Sequence, residues 1–321
     1  MIVAATPILS QSTAGDAYRA PRTPDGQPNI SGIWTNDTLT PLERPLALGD
    51  RAFYSEEEAT SVERLGTEKR DRDNAPGGRR TIAGLPWERG YNDFWFDPRN
   101  TIVPTRRTSM VVSPETGRVP TRPGAEARAA WLIANRSTSH ETMSPYSRCI
   151  TRGVPGSMIP NAYNTGNQIL QIPGYVVILY EMVREPRIIP LDDRPPLGPK
   201  IPQWMGDARG RWEGDTLVVE TTGFSEKGWI TPNLNAGRML GVPVSTQLHV
   251  IERFTRVSDD VINWQVLIAD PETYTEPWAL ELPLTRNTAY TLYEYACHEG
   301  NRAVSAILGV ARHLEQRPVA K

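Results

Sequence analysis

Only two of the 321 residues are cysteine (Cys149 and Cys297) and only four are histidine. So few cysteines exclude a disulfide-dense scaffold. His140, His249, His298 and His313 lack HxH or HExxH spacing and no CxxC is present, so no metal site is expected. GxGxxG, GxxxxGKS/T and GxSxG are absent, which disfavours nucleotide cofactors and an α/β-hydrolase mechanism; no cofactor is expected. No apolar run approaches the roughly 20 residues that span a bilayer. Neither charge sign is in excess: 35 Lys and Arg stand against 37 Asp and Glu, a net charge of −2. That balance speaks against nucleic acid as a partner.

What is plentiful is punctuation and β-forming sequence. The chain has 29 prolines and 25 glycines, which suit short strands and long ordered loops and argue against a helical bundle. Hairpins are expected where strand-like runs flank turn residues. These are 107–113 with 118–119, 168–172 with 175–182, 211–212 with 216–222, and 248–257 with 261–269. Further strands are expected at 91–97, 278–284 and 292–296. A helix starts near Ser55, whose following Glu56, Glu57 and Glu58 suit the positive end of a helix dipole. Residues 70–80 read as a solvated loop and 124–136 as a helix. Residues 303–314 are apolar at helical spacing and are expected to pack on the sheet. Consecutive hairpins without alternating helices predict an all-β, mostly antiparallel fold: a lipocalin-like barrel or a strongly curved sandwich, with a few peripheral helices. Residues 1–30 read as an N-terminal arm or signal remnant, and 31–321 as one β-rich domain whose 31–90 segment wraps it.

Strand parity then singles out polar residues on apolar faces. In 248–254 Glu252 shares a face with Leu248, Val250 and Phe254, as a buried acid or base or as half of a Glu–Arg ion pair. Glu181 ends the row Tyr175, Val177, Leu179, as a residue at a cavity mouth or a solvated strand end would. In 292–298 Glu294 and His298 share a face, and Glu299 follows. Histidine moves protons near neutral pH and a carboxylate fixes its tautomer; the alternative is a hydrogen-bonded knot. Tyr163 and Asn164 lie in an amide-rich stretch that either lines a pocket or stabilises a turn. Arg209 holds an anionic group or pairs with Asp207. Cys149 and Cys297 are buried thiols if the chain stays in the cytosol, and one disulfide if it is exported.

Several stretches also occur together in a group of exported bacterial proteins. They are Ser31-Gly32-Ile33-Trp34, Tyr91 to Trp95, Arg148-Cys149 to Gly156, Asn161 to Tyr175, Gly206 to Leu217, Glu252 to Arg256 and Tyr293 to Asn301. The chain resembles that group over most of its length, and the resemblance implies a periplasmic or secreted location. In architecture alone it resembles lipocalin-like barrels that bind or transform apolar small molecules. The functional expectation is a cofactor-independent lyase, hydratase or isomerase acting on a small apolar or aromatic molecule, such as a lignin-like phenolic. Glu252 would be its acid or base, with His298 as partner, oriented by Glu294 or Glu299. Arg107 or Arg209 would hold an anionic or phenolate oxygen, and Trp95 and Tyr163 would shape the pocket. The alternatives are a non-catalytic small-molecule binding protein and a hydrolase using carboxylate-activated water.

Overall fold

The computed structural model describes residues 18–74, 80–82, 85–87, 100–161, 163–198, 200–231 and 234–316. Among them, β-structure is built from β1 (Gly32–Thr35), β2 (Arg80–Ile82), β3 (Leu85–Trp87), β4 (Val111–Ser113), β5 (Gly166–Ile172), β6 (Tyr175–Tyr180), β7 (Pro186–Pro190), β8 (Asp207–Glu213), β9 (Thr216–Thr222), β10 (His249–Arg256), β11 (Val261–Ala269) and β12 (Trp278–Arg286). Three helices accompany them: α1 (Glu56–Asn74), α2 (Pro123–Ala134) and α3 (Ala303–Glu315). β2 and β3 pair with each other, and the other ten strands form one sheet ordered β7-β6-β5-β1-β12-β11-β10-β9-β8, with β4 beside β12. The end strands β7 and β8 come together, so the sheet curls into a nearly closed barrel of all-β class.

Three of the expected hairpins form, because each turn can supply the backbone its strands need. Gly174 (φ 78°) joins β5 to β6 and Gly214 (φ 59°) joins β8 to β9. Ser258, Asp259 and Asp260 lie between β10 and β11. Alternation fills the interior: Val250, Glu252 and Phe254 of β10 and Ile262, Trp264, Val266 and Ile268 of β11 all point inward and are buried. The ladder stops at the junction of β7 and β8, and side chains close it instead. Gly210 of β8 is essential to that fit. A Cβ there would lie 2.8 Å from both Ile189 Cγ2 and Leu191 Cδ2.

Four expectations are corrected. Residues 107–119 do not form a hairpin. The Pro114–Gly117 turn exists (Gly117 N–H to Pro114 O, 3.0 Å), but Val111–Ser113 pairs with β12. Residues 292–296 are not a strand, because their backbone is engaged elsewhere: the Tyr293 N–H goes to Glu181 Oε1 (3.0 Å) and Cys297 and Glu299 make local turns. α1 runs on to Asn74, into the expected loop. It begins with a reciprocal cap, Ser55 Oγ accepting from Glu58 N–H (3.1 Å) and Glu58 Oε2 accepting from Ser55 N–H (2.9 Å). α3 forms, but none of its residues is buried, so its apolar side chains do not pack on the sheet. The expected strand 91–97 lies outside the described residues. Among the described residues no helix is long and apolar enough to cross a membrane.

Candidate functional site

Glu252 faces the barrel interior as parity requires, and it is wholly enclosed. Its Oε2 lies 2.5 Å from Arg187 Nη1, and its Oε1 accepts from Trp264 Nε1 at 3.2 Å. Arg187 comes from β7, on the opposite side of the seam. Its Nη2 donates to Thr221 Oγ1 of β9 (2.6 Å) and its Nη1 reaches the Tyr180 hydroxyl at 3.5 Å. Burial acts to lower the Arg187 pKa, but the adjoining Glu252 charge and Tyr180 hold it above the ordinary guanidinium value. Burial pushes the Tyr180 phenol up to about 12. The assembly ties β7 to β9 and β10 where no backbone ladder does. Glu252 is therefore the structural half of an ion pair.

His298, Glu294 and Glu299 stand elsewhere. All three are exposed, on the irregular segment after β12. Glu294 lies 3.8 Å from Arg184, at the surface. The expected Glu252–His298 pair is thus not assembled: one group is sealed in the barrel and the other is in solvent. The segment is a strap held at several points. Cys149 and Cys297 sit at disulfide distance (S–S 2.09 Å, Cα–Cα 5.6 Å), which fits an extracellular protein. Tyr295 OH meets Tyr146 OH at 3.1 Å.

Glu181 is the strap's main anchor. It is buried, accepting from Tyr290 OH (2.6 Å), Tyr293 N–H and Gly166 N–H (3.2 Å). The strand it was read from ends at Tyr180, and the inward row there is Val176, Ile178 and Tyr180. Tyr163 joins the phenol cluster, 3.4 Å from Tyr146 OH, and burial raises its pKa. Asn164 adopts a left-handed backbone, φ 54°. Arg107 lies 5.0 Å from the centroid of Phe53, to which its backbone is bridged. Arg209 spends its donors on Asp207 Oδ1 (2.5 Å) and on the carbonyls of Arg194, Pro195 and Ala208. Trp95 lies outside the described residues.

An open concavity lies on the seam itself. A cleft of about 450 Å³ lies between β7, β8 and the loop before β8, within the size range of small-molecule sites. Ile188, Leu197, Trp204 and Met205 give it apolar walls, and Glu185, Arg187, Gln203 and Arg209 add polar groups. Glu185 shares the inward parity of Arg187 and Ile189 and is partly buried. Burial raises its carboxyl pKa, and a hydrogen bond with Thr151 offsets part of that rise. Its Oε2 has no hydrogen-bond partner. Glu185 thus combines concavity, partial desolvation and an uncommitted oxygen. Sequence reasoning passed over it, although a carboxylate two residues before an inward arginine carried the signal.

The Trp204 loop is fixed by Gln203, whose N–H donates to Gly223 O (2.8 Å) and whose carbonyl accepts from Ser225 N–H (2.9 Å). Gly206 (φ 68°) lets the loop press on β9. A Cβ there would lie 2.6 Å from Thr221 Cγ2. Trp204 and Thr151 also wall a second cavity of about 10 Å³, roughly the space of one water. Among the described residues no three His, Cys, Asp or Glu side chains gather as metal ligands. Compared with models of known protein families, with curated proteins and with solved structures, the chain matches none.

Proposed function

We propose that the seam cleft binds a small apolar or aromatic molecule and that Glu185 exchanges a proton with it, in a lyase, hydratase or isomerase reaction. The observation that carries this reading is a single one: a partly buried carboxyl, with one oxygen free of partners, lines a cleft walled by Trp204 and Met205. Addition, elimination and isomerisation next to an activating group need a proton delivered or removed at one atom, which a carboxyl does. Burial raises its pKa above the ordinary carboxyl value, which makes it a readier proton donor than a solvated carboxyl. The indole supplies a flat apolar surface for a ring. Lignin-like phenolics fit that combination. Export to the periplasm or the medium belongs to the same reading, supported by the cysteine pair at disulfide distance.

A second reading, capture without chemistry, is favoured by one feature. The two arginines of the cleft floor and wall, Arg187 and Arg209, are already paired with Glu252 and Asp207. A turnover screen separates the two. Wild type, Glu185→Gln and Trp204→Ala are incubated with phenolic, terpenoid and lactone molecules, and products are read by mass spectrometry, with folding checked by melting. The expected result is a mass change that Glu185→Gln abolishes while ligand binding persists. Undiminished turnover in Glu185→Gln overturns the catalytic assignment, and binding with no mass change in any protein establishes capture.

A further inference from the structure

The cations around the cleft are nearly all spoken for. Arg187 is paired with Glu252 and bonded to Thr221. Arg194 binds both oxygens of Asp192. Arg209 binds Asp207 and three backbone carbonyls. Arg148 differs. It does not itself line the cleft but stands against Trp204, which does: it is half-buried, its guanidinium lies 5.9 Å from the centroid of Trp204, and its Nε, like that of Arg187, is buried without a hydrogen-bond partner. Among the described residues no carboxylate lies within ion-pair distance of it. Burial lowers its pKa, with only the more distant Glu141 charge opposing.

A guanidinium half withdrawn from water with no carboxylate at ion-pair distance among the described residues is costly, and a fork of N–H donors beside an aromatic face matches a planar carboxylate joined to a ring. The same indole that Arg148 covers lines the cleft, and Thr151, three residues further on, bonds to Glu185. The raised Glu185 pKa lessens its charge beside an incoming anion relative to an ordinary carboxylate, so the two groups are compatible around one ligand.

We propose that Arg148 is the anion-recognising residue of the seam cleft, and that the molecule taken there is a small aromatic acid bound through its carboxylate. This rests on the reading of the cleft as a small-molecule site. Trp204 stacks on the ring, Arg148 takes the carboxylate, and Glu185 faces the remainder of the molecule. Specificity then separates acids from their neutral analogues, because the amide leaves the guanidinium uncompensated.

The test is a titration with matched probes: benzoate, 3-phenylpropanoate and 4-hydroxycinnamate, each beside its primary amide. Binding to wild type, Arg148→Gln, Arg148→Lys and Trp204→Ala is followed by calorimetry. A charge-assisted contact predicts that wild type binds at least one acid about ten- to a hundredfold tighter than its amide. Arg148→Gln should erase that preference, leaving amide affinity and melting temperature unchanged, and Arg148→Lys should restore part of it. Trp204→Ala should weaken acid and amide alike. Amide and acid binding equally to wild type, or an acid preference surviving in Arg148→Gln, overturns the assignment and leaves the cleft reading in place. Failure of every acid and amide to bind wild type overturns both.

Discussion

Replacing Arg187 by methionine isolates a charge inside the barrel. Glu252 would stay fully enclosed, with the Trp264 indole N–H at 3.2 Å but without the guanidinium at 2.5 Å. Removing one member of a buried ion pair costs about 3–5 kcal/mol, because the survivor keeps its desolvation penalty. The bond to Thr221 Oγ1 is lost as well, at about 1 kcal/mol. Each kcal/mol lowers the melting temperature by about 2–4 °C in domains of 150–250 residues, so a drop on the order of 10 °C is expected. The double variant Arg187→Met with Glu252→Leu removes both charges. Apolar replacement of a buried pair is often neutral or stabilising, so the double variant should melt well above either single one. Circular dichroism melts of wild type, both single variants and the double variant close the cycle. The reasoning is refuted if Arg187→Met melts within about 2 °C of wild type, or if the double variant loses the sum of the two single losses.

Two further outcomes follow from the same structure. Glu185 binds its proton more tightly folded than unfolded, so it contributes stability below the unfolded carboxylate pKa and loses it as pH rises through the folded value. Glu185→Gln should therefore gain stability relative to wild type as pH rises from about 4 towards neutrality, and denaturant midpoints across that range showing a constant difference would contradict this. Cys297→Ser removes the covalent tie of the strap, which closes a loop of 148 residues, and should destabilise the protein by about 2–5 kcal/mol. Limited proteolysis should then cut beyond Arg286 in the variant before it cuts wild type, and identical digestion patterns would argue that Glu181 and Tyr146 hold the strap without the bond.

The barrel was legible because hairpins are local. Pro173-Gly174, Glu213-Gly214-Asp215 and Ser258-Asp259-Asp260 lie between runs whose alternation is regular, and all three strand pairs formed. The same alternation put Glu252 inside. What local pattern did not reveal was its partner, since Arg187 comes from a strand 65 positions earlier that meets β10 only when the sheet curls. The alternation also misled where a strand ended. Glu181 was carried onto the row of Val177 and Leu179, but the chain leaves the strand at Tyr180 and reaches φ 67° at Val183. The tyrosine-rich run 292–296 looked like a strand because aromatic residues favour strands, yet Glu181 and Tyr146 capture it instead. The cleft was out of reach for a related reason. Glu185 and Trp204 come from different loops that meet at the seam, and Arg148 from a third that packs against Trp204.

The unfinished junction between β7 and β8 has a bearing on how the protein behaves when crowded. An unpaired strand edge offers amides and carbonyls to any extended chain, and that is how sheets recruit one another into aggregates. β7 is bounded by Pro186 and Pro190, neither of which has an amide hydrogen to give. Its arginine, Arg187, is turned inward to Glu252, and Gly210 of β8 lies directly against Ile189. Across the gap, the loop bearing Trp204 lines the same opening. The opening proposed to take a small molecule is thereby poorly suited to another β-strand.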